Sequence, residues 1–167
     1  VSDPVPQAPT DFDFAIGDWT VLHRRLKERL CGCTEWIGFE GRMSTRKVLG
    51  GYGNIEDNLL LFPEREFRAV ALRAYDPARA QWSIWWLDGR FPDRIDVPVV
   101  GRFERGVGRF FASDTHAGQP VTIRFLWSRA GPDQLRWEQA FSADAGRSWE
   151  TNWTMDFRRA AGPPRVW

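Results

Sequence analysis

The sequence predicts an all-β chain, closed into an antiparallel up-and-down barrel of about ten strands. Three observations lead there. Short apolar runs recur between turn residues along almost the whole chain. Several of these runs alternate apolar and polar residues with the period of two that a half-buried strand requires. Helical periodicity is nearly absent and long connections are few, so strands adjacent in sequence should be adjacent in the sheet. An open sheet of this size would leave two unpaired edges, and closure removes them.

The elements follow in order. Phe12 to Ile16 reads as one short helical turn before Gly17. Asp18 to Lys27 is the first strand, and Thr34 to Val48 is a long second strand, bent near Gly38 and Gly41. Gly51 to Phe62 follows the Gly50-Gly51 turn. Phe67 to Tyr75 lies between Pro63 and Asp76-Pro77, and Gln81 to Asp88 runs to Gly89. Val99 to Glu104 and Val107 to Ser113 flank Arg105-Gly106, a tight hairpin signal. Val121 to Ser128 precedes Gly131-Pro132, Leu135 to Ser142 precedes a turn through Asp144 and Gly146, and Trp149 to Arg158 closes the body.

Alternation chooses the inner faces. Val121, Ile123, Phe125 and Trp127 share one face, Leu135, Trp137 and Phe141 another, and Trp149, Trp153, Met155 and Phe157 a third. Trp82, Ile84 and Trp86 do the same in their strand, although Trp85 and Leu87 weaken the contrast.

Length and composition bound the rest. A chain of 167 residues and 19.3 kDa points to one domain, or two very small ones, and is large enough to hold a core without disulfides or metal. The expected division is a tail at 1–11, a barrel at 12–159 and a second tail at 160–167, whose Trp167 is an unusual tail residue that can dock back. The 23 Lys and Arg balance 22 Asp and Glu, which argues against a nucleic-acid footprint. No apolar run approaches the ~20 residues of a membrane helix. The first ten residues are not a signal peptide, although the missing initiator Met leaves a removed leader open. Cys31 and Cys33 are too close for an easy bridge and lack the second pair a zinc site needs, so they read as thiols in a reducing cytoplasm. Ten Trp and twelve Phe against two Tyr mark a domain built from large rings.

Gly17-Asp18-Trp19, at the start of the first strand, carries a Gly-x-Trp motif. On this motif, and on the all-strand chain that follows it to a terminal Arg158-Arg159, the sequence resembles the calycin group: lipocalins, fatty-acid-binding proteins and lipocalin-like bacterial barrels. The resemblance covers residues 12–159. It implies that Trp19 closes one end of the barrel and that Arg158 or Arg159 packs across its ring. The lipocalin disulfide and the helix-turn-helix lid of fatty-acid-binding proteins are not found. The chain looks most like a bacterial lipocalin-like family of unknown function, so the resemblance implies a fold more than an activity. A second motif, Ser142-x-Asp144-x-Gly146-x-Ser148-Trp149, resembles the Asp-box of sialidases. One copy in a chain this short reads as a hairpin clasp, with Asp144 accepting backbone N–H bonds and Gly146 permitting positive φ.

Candidate chemistry is sparse. On the face of Trp19 the first strand carries Val21, His23 and Arg25, which makes His23 a base, a proton donor, a haem or metal ligand, or a hydrogen-bonded core residue. His116 falls in a loop by composition and is expected in solvent. Asn58, Arg73, Tyr75, Asp88 and Gln139 fall on provisional inner faces. A buried Arg73 needs an anion, either Asp88 in a structural ion pair or a carboxylate or phenolate on a ligand. Arg124, Glu138 and Asn152 read as outward, unless the barrel inverts and they line a polar cavity. Adjacent Glu56 and Asp57 point to opposite faces, so no glycosidase pair is supported. No phosphate loop and no Gly-x-Ser-x-Gly elbow occurs.

The leading expectation is a barrel that binds a small hydrophobic or aromatic molecule, acidic groups included. Trp86, Phe125, Trp137 and Trp153 would line it, and Arg73 and His23 would be its polar anchors. The alternatives are a cofactor-independent isomerase, cyclase or lyase using His23 and Arg73, a haem protein with His23 as axial ligand, and an interaction module whose outward rings, such as Trp85, form a dimer surface. No cofactor is otherwise expected, and a homodimer is a guess from the frequency of twofold assemblies.

Overall fold

The structure, a computed structural model, describes residues 7–162. Trp167 therefore lies outside the described residues. A 3₁₀ turn at Asp13–Ala15 precedes β1 (Gly17–Leu26) and β2 (Trp36–Val48). A second such turn, Leu49–Gly51, leads into β3 (Gly53–Leu61). Then come β4 (Glu66–Asp76), β5 (Gln81–Asp88), β6 (Val99–Glu104), β7 (Val107–His116), β8 (Gln119–Gly131), β9 (Gln134–Ser142) and β10 (Glu150–Arg159). Each strand pairs antiparallel with the next, and β1 pairs with β10 to close the barrel.

The hairpin chemistry behaves as the sequence suggests. Arg105 and Gly106 have φ of 51° and 80°, the two positive values a tight right-twisted hairpin requires. Ala117 and Gly118 repeat this, with φ of 48° and 79°. That second turn carries β7 on to His116 and starts β8 at Gln119, beyond the expected strand ends. Pro120 and the polar Asp114-Thr115-His116 run conceal it in the sequence, because such residues read as loop while the ladder continues through them.

The seams are unequal. β1 meets β2 over ten register pairs. β5 meets β6 over three only, Trp82 with Gly101, Ser83 with Val100 and Ile84 with Val99. Beyond them residues 89–98 leave the sheet, tied back where the Asp96 N–H donates to the Trp86 carbonyl at 2.9 Å.

One end is filled with rings. Phe12 sits edge-on to Trp82 and Phe103, at 5.0 and 4.9 Å between ring centres, and packs on Phe110 at 5.8 Å. Trp19 donates its indole N–H to the Ala15 carbonyl at 2.9 Å, which ties the first turn to β1. The Arg159 guanidinium lies 4.2 Å above the Trp19 ring. Asp11, inside the segment expected as a tail, accepts the Trp82 indole N–H at 3.0 Å, so the ordered body begins before Phe12.

Two further expectations are corrected here. Asn152 is fully buried instead of outward, because a bulge between Thr151 and Trp153 breaks the period-two alternation. Trp149 precedes β10 and lies on the outer side, with Arg124 4.4 Å above its ring.

Candidate ligand cavity

Above the ring-filled end the barrel is hollow. The cavity has a volume of about 280 Å³. Its walls are Trp86 of β5, Phe125 of β8, Trp137 of β9 and Trp153 of β10. These rings meet edge to face: Phe125 and Trp137 at 4.8 Å, Trp137 and Trp153 at 5.7 Å, Trp86 and Trp153 at 6.3 Å. Each is one residue in two along its strand, so the alternation that buries a strand face also builds the wall. The wall thus presents aromatic surface to the interior, where a flat apolar molecule can pack.

The floor is polar, and its charge is matched within the protein. Arg73 of β4 forms an ion pair with Glu56 of β3, and both are almost fully buried. Arg73 also donates to the Asn54 side-chain oxygen at 2.8 Å, and Asn58 donates to Glu56 at 2.9 Å. Phe12 and Trp127 flank the guanidinium at 4.8 and 5.0 Å. A buried guanidinium is tolerated because its charge is matched by Glu56 and its plane by two rings. Asp88 is not its partner. Arg73 faces Ile84 while Asp88 faces Ala69, four residues further along the strand, about 13 Å at the rise of a β-strand.

The mouth carries most of the remaining charge. Arg90 grips Asp88 with three bonds of 2.6–3.2 Å and lies 3.9 Å over the Phe67 ring. Burial alone would raise the Asp88 carboxyl, and the Arg90 bonds outweigh it and hold the pKa low. Asp96 is pushed up by burial and then by Asp114 and Asp88. Arg25 and Arg29 complete the mouth with Asp114, Thr115 and His116. Burial, then Arg25, lowers Arg29 to about 10.

Of the residues expected to bind a ligand, Arg25, Arg73, Trp86, Asp88, Phe125, Trp137, Gln139 and Trp153 line the cavity. His23, Asn58 and Tyr75 do not. His23 lies behind the wall, stacked on Phe39 at 4.5 Å. Its Nδ1 accepts the Trp153 indole N–H at 3.2 Å, and burial pushes its pKa down to about 3. Asn58 serves the floor network, and Tyr75 packs on Trp82 at 5.3 Å toward the closed end.

Sequence reasoning missed Glu56, Arg29, Arg90 and His116. Glu56 was within reach: it shares the parity of Asn58, and in the β3–β4 hairpin it faces Ala71, two residues from Arg73. His116 was assigned to solvent, yet its ring sits 5.4 Å from Phe141 at the mouth. Arg29 and Arg90 lie in loops, where no periodicity reports direction. Among the described residues, no group of three or more His, Cys, Asp or Glu is placed to hold a metal ion.

No protein-family model matches the chain, and no curated protein matches it. Solved structures do. One is an S-type phycobiliprotein lyase from Guillardia theta, with a TM-score of 0.56 at 9% identity, covering 91% of this chain and 92% of that one. At this identity the likeness shows the fold, and it agrees with a calycin-like barrel across nearly the whole chain.

Proposed function

We propose that the barrel binds a small hydrophobic, ring-bearing molecule in its cavity. One observation carries this reading: a hollow of about 280 Å³ walled by Trp86, Phe125, Trp137 and Trp153. Apolar side chains that could have filled the space leave it open, and the rings are fixed edge to face around it. The volume suits a molecule of two or three fused rings. The test is titration with 2-naphthalenemethanol, followed by tryptophan fluorescence and calorimetry. Saturable quenching that weakens in Trp137→Leu supports the reading, and no saturable binding at millimolar concentration overturns it.

A second reading, catalysis without a cofactor, is favoured by Glu56, a carboxylate that lines the cavity and is held in place by Arg73. The structural neighbour's description as a lyase is compatible with it. Glu56 would move a proton and Arg73 would keep it oriented. Turnover lost in Glu56→Gln while ligand affinity persists would be its signature. The haem reading loses support, because His23 stands outside the cavity wall and its Nδ1 is already engaged.

A further inference from the structure

The cavity holds two kinds of arginine. Arg73 is neutralised by Glu56 and fixed in the floor. Arg90 is neutralised by Asp88. Arg25, at the end of β1, and Arg29, in the β1–β2 connection, are different: among the described residues neither side chain makes a hydrogen bond or an ion pair, and the Nε of each, like that of Arg73, is buried without a partner. Both are held by rings instead. Arg25 lies 5.1 Å from the Trp153 ring centre and 5.9 Å from that of Phe62, and Arg29 lies 5.3 Å from that of Phe141. The carboxylates that act on these two charges, Asp88 on Arg25 and Glu150 on Arg29, are committed elsewhere. Both Glu150 oxygens accept the Leu30 backbone N–H, at 2.9 and 3.1 Å. Asp88 belongs to Arg90.

We infer that Arg25 and Arg29 form an anion site at the mouth of the barrel, and that the ligand is an aromatic carboxylic acid bound with its rings inward and its carboxylate between these two side chains. This rests on the binding function proposed above and names the ligand's class and direction. Two half-buried guanidiniums repel each other, so an anion between them relieves a cost the empty protein carries. Both lie against rings before the ligand arrives, which is the preorganisation a carboxylate contact exploits. The floor cannot play this part, because its arginine already has its carboxylate. The acid therefore faces out, and the apolar body contacts Trp137 and Phe125.

The test compares 2-naphthoate with 2-naphthalenemethanol, which share a ring system and differ in charge, by calorimetry at low ionic strength. The alcohol reports the cavity, and the difference between acid and alcohol reports the arginines. The expected result is that the acid binds about tenfold tighter or more. Arg25→Gln and Arg29→Gln should each remove most of that advantage, so that each variant binds acid and alcohol with similar affinity. Equal affinity for acid and alcohol in the wild type overturns the anion site while the cavity reading stands. Absence of both overturns both. If Arg25→Gln loses the alcohol as well, its fold is disturbed, and Arg29→Gln decides: an undiminished acid preference there overturns the inference.

Discussion

The indole N–H of Trp153 donates to Nδ1 of His23 at 3.2 Å, across the β1–β10 seam that closes the barrel. The bond needs an unprotonated Nδ1, and burial keeps it so, with the pKa held down to about 3 against an ordinary 6.5. The unfolded chain thus binds a proton that the folded chain refuses. Stability from this group is complete above pH 6.5 and falls as the pH drops toward 3. Between about pH 6.5 and pH 5 the loss is about 2 kcal/mol. Urea unfolding at the two values should show it, and His23→Asn should be less stable at neutral pH yet flatter across that range. A wild-type slope retained in the variant would place the acid sensitivity elsewhere.

The Glu56–Arg73 pair should behave as one unit. Glu56→Gln or Arg73→Met alone should cost about 3–5 kcal/mol, because each strands a buried polar or charged partner. The double variant should cost less than the sum of the two. Additive losses in urea melts would mean that the pair is not coupled.

Phe12 plugs the barrel from outside its strands. Phe12→Ala removes a ring held among Trp82, Phe103, Phe110 and Arg73, and should cost about 3–5 kcal/mol. Thermal melts give the loss. Unchanged stability would show that the first turn does not seal the barrel.

Asp144 accepts from the Ser148 N–H at 2.8 Å and from the Ser142 and Ser148 hydroxyls at 2.7 and 2.6 Å. These bonds, Ser148 first, hold its carboxyl well below the usual range of 3.8. Its contribution is therefore present above pH 3.8 and lost only as the pH falls below it, a window more acidic than most of that of His23. Asp144→Ala should lower the melting temperature at neutral pH and leave affinity for 2-naphthalenemethanol intact. A changed affinity would tie this outer hairpin to the cavity.

Gly41 faces His23. A Cβ there would lie 2.6 Å from the His23 Nε2 and 2.8 Å from the Leu59 carbonyl oxygen. Gly41→Ala should therefore displace the imidazole, cost about 1–3 kcal/mol, and shift the Trp153 emission. An unshifted spectrum would argue that His23 does not position Trp153.

Much of the fold was legible because a barrel repeats one local rule. Alternation alone puts Phe125, Trp137 and Trp153 inside, and the Gly-x-Trp motif marks the closed end. The rule failed where the backbone departs from it. Asn152 turned inward at a bulge, which leaves no mark in composition. Arg25 was legible by its parity with Trp19, while Arg29 was not, since the β1–β2 connection has no period. The assignment of His23 to the cavity had the correct face and the wrong depth: parity says which side of a sheet a residue takes, and only the neighbouring Trp153 decides whether a cavity reaches it.

The short β5–β6 seam gives the closed ring a preferred place to part. Three register pairs hold it, and the segment beside it lines the mouth. Those pairs carry Trp82, Ile84 and Val99 of the core packed around Phe12, so it is residues 89–98 that can part from β5 with few backbone bonds broken and the ring-filled end intact. For the ligand proposed above, displacement of residues 89–98 would be a way out that needs no unfolding of the barrel. Residence time and global stability would then be independent quantities, each adjustable without the other.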